Sequence, residues 1–240
     1  MGDVPPRGHR WCNTGGLVVL PEKVVLLEQE DVDHAVQDVL AAARATSAAI
    51  VIGIETHDHG VYSNRALLAT PDGGAHWYVK QRMVPGWEAR DTPGDSAVMV
   101  AFLGTRLAIA ICKDMHVPAI GRQYAGGAAV MVVPAYDFGN DGWMGARMTA
   151  LRAVENGYAI ARSARNGLLS AYDRTGRVII ERLTDSRITV ATAVLSIAGE
   201  ATIHGRVGDM FGWLCLTATV LLWIRLRSAH RVVQQIDRPS

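Results

Sequence analysis

The chain has 240 residues, a formal net charge of +1 and 49% hydrophobic residues. That length suits one domain with an appendage, and the apolar share can fill a core without disulfides or metals. A near-neutral balance leaves no electrostatic footprint for nucleic acid. The three cysteines, Cys12, Cys112 and Cys215, are too far apart to form a metal-ligand pattern or a disulfide framework.

In chain order, residues 1–16 are rich in Gly, Pro and Arg and read as a loop or tail. Leu17–Leu20 is a short apolar strand that ends in Pro21-Glu22-Lys23. Glu22 could be an ordinary exposed charge; at a strand end it is also a candidate base. Asp31–Ala48 has helical periodicity, with Val32, Ala35, Val36, Val39, Leu40 and Ala43 on one face. Ala49–Ile54 is a buried strand interrupted by Gly53, and Val61–Thr70 and Ala75–Lys80 form a hairpin about Pro71-Asp72-Gly73-Gly74. Lys80 ends that hairpin, and a loop from Gln81 to Gly94 follows. Ala97–Phe102 and Leu107–Ile111 form the next hairpin, whose second arm delivers Cys112.

After Cys112, Pro118–Tyr124 suits a short helix, Ala128–Val133 a strand and Met144–Asn156 a helix with apolar Met148, Leu151, Ala153 and Val154. Tyr158–Ser163, Leu168–Tyr172 and Val178–Glu181 read as strands, with a turn at Asp173-Arg174-Thr175-Gly176, and Ile188–Val194 as the last strand. Alternating strands and helices place the domain in the α/β class. Met210–Ile224 has no charged residue, carries Trp213 and Trp223 near its ends and is followed by Arg225, Arg227 and Arg231. A bilayer core of about 30 Å takes roughly 20 apolar residues, so this run is short. Its aromatic ends and basic flank point to a membrane helix over 207–225; a buried core helix is the other reading. The basic tail, 226–240, would then be cytoplasmic and the α/β domain on the outer face.

Glu22, Lys80 and Cys112 each stand at a strand end, where open α/β sheets place their ligands. Cys112 could be a buried structural cysteine. It could also be a nucleophile, with Glu22 as general base and Lys80 as the cation for thiolate and oxyanion. The backbone N–H of Lys113 would be a second oxyanion donor. His116 is close in sequence but lies across a turn from Cys112, so it is a weaker candidate for the base.

Glu22, Lys80 and Cys112, in this order and within Leu20-Pro21-Glu22, Tyr78-Val79-Lys80-Gln81-Arg82-Met83-Val84-Pro85 and Ile111-Cys112-Lys113-Asp114, resemble the triad of the nitrilase (carbon–nitrogen hydrolase) superfamily. Arg152-Ala153-Val154-Glu155-Asn156-Gly157 and Ala161-Arg162-Ser163-Ala164-Arg165-Asn166-Gly167 extend the resemblance, which covers about residues 17–195. It implies a four-layer α-β-β-α sandwich over 17–200, followed by the transmembrane helix. Asn140-Asp141-Gly142-Trp143 and the C-terminal helix are most similar to the apolipoprotein N-acyltransferase branch. By that resemblance Glu88 supports the lysine, Asp114 supports the elbow after the nucleophile, and Trp87 and Trp143 line the acyl entry. Ordinary packing is the other reading of both tryptophans.

The same resemblance implies a phospholipid acyl donor, a lipoprotein N-terminal amine as acceptor, no cofactor or metal, and a bacterial-type inner membrane. It also implies that the opening strand and helix of the domain, and a membrane region ahead of them, are missing, leaving an unpaired sheet edge. The sequence therefore supports three readings: a membrane-anchored acyltransferase, an amidase for small amides, or a non-catalytic fragment that binds lipid or a partner.

Overall fold

The computed structural model describes residues 16–139, 141–184, 188–196 and 200–236, with side chains as far as residue 227. Cys12, Asn140 and the end of the basic tail lie outside the described residues. Contact density divides the chain into two units, residues 1–205 and 206–240.

The first sheet contains β1 (Leu17–Val19), β2 (Val25–Glu28), β3 (Ala49–Asp58), β4 (Val61–Ala69) and β5 (Ala75–Val79). Its order is β1-β3-β4-β5, with β2 also on β3. β1 and β2 lie parallel to β3 on successive halves of that strand, Leu17 opposite Ala49 and Val25 opposite Ile54. The turn between them carries Glu22. It is held at both ends: Gly53 N–H donates to Pro21 O at 3.0 Å, and Val24 N–H donates to Gly53 O at 2.9 Å. A third bond, from Glu22 N–H to Ala135 O at 3.2 Å, ties the turn to the other sheet. Gly53 is the residue that admits this turn, because a Cβ there would meet Pro21 O and Glu22 Cα at 2.5 Å.

The second sheet has the order β11-β10-β9-β8-β7-β6. Its strands are β6 (Met99–Phe102), β7 (Thr105–Ile109), β8 (Val130–Tyr136), β9 (Ala159–Arg165), β10 (Leu168–Tyr172) and β11 (Val178–Leu183). The central three are parallel, and antiparallel hairpins close both edges. Two crossovers join the parallel strands. A 3₁₀ turn, Cys112–His116, and α2 (Pro118–Arg122) follow β7; α3 (Gly142–Asn156) follows β8.

The two sheets face each other through Val51, Leu68, Tyr78, Ile109, Ile111 and Val132. Outside the first sheet, α1 (Gln29–Thr46) packs Leu40 and Ala43 on Ile50 and Ala69. Outside the second, Ile120 of α2 and Ala146, Ala150 and Ala153 of α3 pack with Met131 and Ile160. Burial on both faces explains why the strands of the second sheet read as continuous apolar runs. The result is the α-β-β-α sandwich expected from the sequence.

Three local readings need correction. Ile188–Val194 forms no strand; Ile188 is 97% exposed, and a β-branched run without a neighbouring strand has no ladder to join. α1 starts at Gln29 rather than Asp31, which lies in its first turn. In α3, Leu151 and Val154 are exposed, whereas Gly145, Ala146, Thr149, Ala150 and Ala153 face inward. Small residues are needed there, since a Cβ on Gly145 would stand 3.0 Å from Arg162 Nη2. An edge of the first sheet shows Val18, Val24, Val25 and Leu26 to solvent.

α4 (Ile203–Val207) leads from the first unit, and α5 (Met210–Ile236) forms nearly all of the second. The apolar helix therefore starts at Met210 rather than 207, because Gly208 has φ +61° and separates the two helices. It also continues beyond 225. Met210–Arg227 has a mean hydropathy of 1.3, with none of that stretch buried, and by length and composition can cross a membrane.

Gly53→Ala is expected to destabilise the domain by about 1–3 kcal/mol, since the new methyl meets backbone that cannot rotate away. Gly16→Ala is the control, because its Cβ would meet only Ala48 Cβ at 3.7 Å. Thermal unfolding of the two variants checks this: a lowered midpoint for the first and an unchanged one for the second.

Candidate active site

Glu22, Lys80, Glu88 and Asn64 form one buried cluster between the sheets. Lys80 follows β5 and is only 1% exposed; Glu22 is 2% exposed. A lysine ammonium so buried needs carboxylate partners to stay charged. Lys80 Nζ donates to Glu22 Oε1 at 2.7 Å and to Glu88 Oε1 and Oε2 at 2.9 and 2.8 Å. Burial works against its charge, but Glu22, Cys112 and Glu88 outweigh it and hold the ammonium above its usual pKa. Burial likewise opposes the Glu88 charge, and Lys80 outweighs it, so that carboxyl stays below its usual range.

Asn64 of β4 holds the two acids in register. Its Nδ2 donates to Glu22 Oε1 at 2.6 Å and to Glu88 Oε1 at 2.8 Å, while its backbone carbonyl accepts from the Lys80 backbone N–H at 2.9 Å. Sequence reasoning missed Asn64, since it lies in the middle of a strand and no local pattern marks it. Glu22 Oε2 is buried without a hydrogen-bond partner among the described residues. That oxygen is left open to a hydrogen-bond donor.

Cys112 opens the 3₁₀ turn after β7 with φ +42°, a left-handed conformation that is costly for a side chain. Asp114 fixes this elbow. Its Oδ2 accepts from Ile111 N–H at 3.0 Å and Tyr78 OH at 2.8 Å. Its Oδ1 accepts from Gln81 N–H at 3.1 Å and Arg82 N–H at 2.7 Å, so one buried carboxylate joins the elbow to the segment after Lys80. Burial nevertheless raises the Asp114 pKa. The Cys112 Sγ donates to Tyr136 O at 3.6 Å. Burial, and after it the Glu22 charge, push the thiol up to about 12, against the opposing pull of Lys80 and Arg162. At neutral pH the resting group is thus a thiol, beside a carboxylate and an ammonium.

A second buried pair backs the end of β8. Arg162 donates to both carboxylate oxygens of Asp137, the residue after Tyr136, and to Leu168 O at 2.8 Å. Gly167 is required here, because a Cβ would fall 1.9 Å from Asp137 Oδ2. The sequence pattern carried Arg162 without marking this role.

The remaining candidates are distributed differently. Lys113 is half-buried in the first turn after Cys112, where backbone N–H groups lack partners within the helix. His116 is half-buried, and no hydrogen bond joins it to Cys112 among the described residues. Trp87 is 74% exposed and tilts against Phe138 at 4.9 Å, and Phe138 meets Tyr136 edge-on at 5.5 Å. Trp143 is also exposed and instead lies beneath the Arg147 guanidinium, 5.3 Å from its centroid. The structure therefore links Trp87 to the Cys112 region through aromatic contacts, and Trp143 to the surface of α3. Among the described residues no cluster of His, Cys, Asp and Glu could hold a metal ion.

The profile of the carbon-nitrogen hydrolase family matches residues 15–203. An (R)-stereoselective amidase from a Pseudomonas species is 34% identical over 98 residues, covering 40% of this chain and 36% of the amidase. An apolipoprotein N-acyltransferase from Azotobacter vinelandii is 27% identical over 231 residues, covering 82% of this chain and 41% of the relative. The chain thus spans about two-fifths or less of the length of these curated relatives. A CN-hydrolase superfamily protein from Xanthomonas campestris superposes with a TM-score of 0.63 at 21% identity, covering 75% of this chain and 78% of that one. An amidase from Nesterenkonia sp. AN1, with acrylamide added at its active-site cysteine, superposes with a TM-score of 0.60 at 23% identity, covering 70% of this chain and 75% of that one. These likenesses establish the nitrilase-like fold.

A thiol pKa near 12 sets the expected chemistry of the resting site. Alkylation of Cys112 by iodoacetamide should rise roughly tenfold per pH unit from pH 7 to 9, without a plateau. Glu22→Gln removes an anion that raises the thiol pKa, so it should speed alkylation at pH 7. Mass spectrometry of the Cys112 peptide reads both effects. A plateau below pH 9, or slower labelling of the variant, would contradict this electrostatic reading.

Proposed function

The chain belongs to the carbon–nitrogen hydrolase family, and on that footing we propose that it is a membrane-anchored, cysteine-dependent acyltransferase. The acyl donor is a phospholipid and the acceptor the N-terminal amine of a lipoprotein. The observation that carries this reading is the buried Glu22–Lys80–Glu88 ion cluster, of which the Glu22 and Lys80 charges act on the Cys112 thiol.

The proposed steps assign each of these groups one task. Glu22 takes the Sγ proton as Cys112 attacks the ester carbonyl. Lys80 Nζ and the Lys113 N–H stabilise the tetrahedral oxyanion. Glu22 returns the proton to the departing alkoxide, leaving a thioester on Cys112. The incoming amine attacks that thioester, Glu22 removes its extra proton, and the collapsing intermediate forms the amide. The Cys112 thiolate leaves and recovers the proton from Glu22. Asn64 keeps Glu22 and Glu88 aligned about Lys80, and Asp114 holds the elbow. No step calls on a cofactor or metal.

Three observations support a lipid donor. α5 contains a stretch long and apolar enough to cross a membrane. Trp87 and Phe138 present exposed aromatic surface connected to Tyr136, whose carbonyl accepts from Cys112. The Azotobacter vinelandii relative is an apolipoprotein N-acyltransferase. In this reading Arg225 and Arg227 mark the cytoplasmic end of the helix in a bacterial-type inner membrane, with the catalytic domain on the outer face. The similarity to the Pseudomonas amidase favours a second reading, in which water attacks the thioester and the substrate is a small amide.

Intact mass spectrometry of detergent-extracted protein after incubation with phospholipid vesicles tests the proposal. A hydroxylamine-sensitive acyl adduct is expected on the parent chain and absent from Cys112→Ala. Lys80→Met is expected to form it at least about 100-fold more slowly, the scale of a lost oxyanion stabiliser. No adduct, together with hydrolysis of a small amide, would favour the amidase. No adduct and no hydrolysis would leave a non-catalytic, lipid- or partner-binding role.

A further inference from the structure

Lys23, the residue after the candidate base, belongs to no step above, yet it is the hub of a second charge cluster. Its backbone is left-handed, φ 51°, a conformation that is costly for a non-glycine residue. Its ammonium donates to Asp91 Oδ2 at 2.7 Å and Glu55 Oε1 at 2.9 Å, and lies 3.5 Å from Glu88 Oε1. Asp91 and Glu55 are themselves buried. Burial lowers the pKa of Lys23, but Asp91 and Glu55 outweigh it and raise the value overall.

We propose that Lys23 is a positioning residue that pins the loop carrying Trp87 and Glu88 to the Glu22 turn and gives Glu88 its second cation. Glu88 stands between two ammonium groups, Lys80 on one side and Lys23 on the other. Three contacts from the same loop converge on the same place. Arg90 donates to Glu55 at 3.2 Å, its guanidinium stacks 3.9 Å over Tyr62, and Thr92 N–H donates to Tyr62 O at 2.8 Å. Lys23 reaches both sides of this junction, since its own backbone forms the turn between β1 and β2. Coulomb attraction in a partly desolvated site makes each contact depend on the others.

The charged groups facing Cys112 are Glu22, Lys80 and Arg162. Removing the Lys23 charge leaves the Glu88 carboxylate offset by Lys80 alone, so less of the Lys80 charge is left for the thiolate. This inference rests on the proposed catalytic site, but its test needs no substrate. Alkylation of Cys112 by iodoacetamide is followed against pH on the Cys112 peptide in the full chain. Lys23→Met is expected to label at least about threefold more slowly at pH 8, with the whole profile moved to higher pH, and Lys23→Arg to restore it. Lys23→Met strands the buried Asp91 carboxylate and could unfold the domain for that reason alone. The same comparison is therefore made between Asp91→Asn and Lys23→Met/Asp91→Asn, where the expected shift persists through Glu88. Profiles that coincide within both pairs would overturn the inference. A shift in Lys23→Met that vanishes in the Asp91→Asn background would also overturn it, since Lys23 would then only neutralise Asp91. Either result leaves the acyl-adduct test of the proposed function untouched.

Discussion

A lysine ammonium buried to 1% exposure is the constraint on which the rest of this domain depends. Taken from water alone, such a charge costs several kcal/mol. Lys80 keeps its charge because Glu22 and Glu88 both lie within 2.9 Å. Those carboxylates are costly in turn, and Asn64, the Val84 N–H and Lys23 supply the remaining partners. A cluster of this kind is a poor way to gain stability, because apolar packing of equal volume does as well or better. Its value lies in placing fixed charges at one point between two sheets, and the thiol of Cys112 feels two of them.

The fold supplies those charges from distant parts of the chain. Glu22 enters on a turn that interrupts the pairing along β3 and is tied across to β8 by its own amide. Lys80 arrives at the end of β5, and Cys112 on a strained elbow after β7. Asp114 then couples the last two, accepting at once from Ile111 before the nucleophile and from Gln81 and Arg82 after the lysine. Strain at Cys112 is thus borne by a carboxylate with four donors, which suits a group whose direction matters more than its comfort.

The outline of this arrangement is legible in the sequence because each of the three residues ends an apolar run. An abrupt change from buried strand to polar residue survives in one dimension, and so does the turn at Pro71-Asp72-Gly73-Gly74. What the sequence hides is set by contacts between segments far apart in the chain. Asn64 reads as one polar residue in a strand, and only pairing with β5 and the approach of the Glu22 turn show what it bridges. Gly53 reads as an interruption, whereas it is the opening through which that turn approaches β3. Ile188–Val194 misleads in the opposite direction: its residues favour a strand, but no neighbour offers a ladder. In α3, residue size outweighs hydrophobicity, because the helix lies too close to Arg162 for large side chains to face inward.

In the proposed mechanism Glu22 and Cys112 act as one unit around Lys80. A double-mutant cycle on turnover of an activated ester tests it most directly, using Glu22→Gln, Cys112→Ala and the two combined. Residues that serve one step are grossly non-additive. The account predicts that the combined variant is no slower than Cys112→Ala alone. Losses that multiply, with the double variant slower by the product of the single effects, would contradict it.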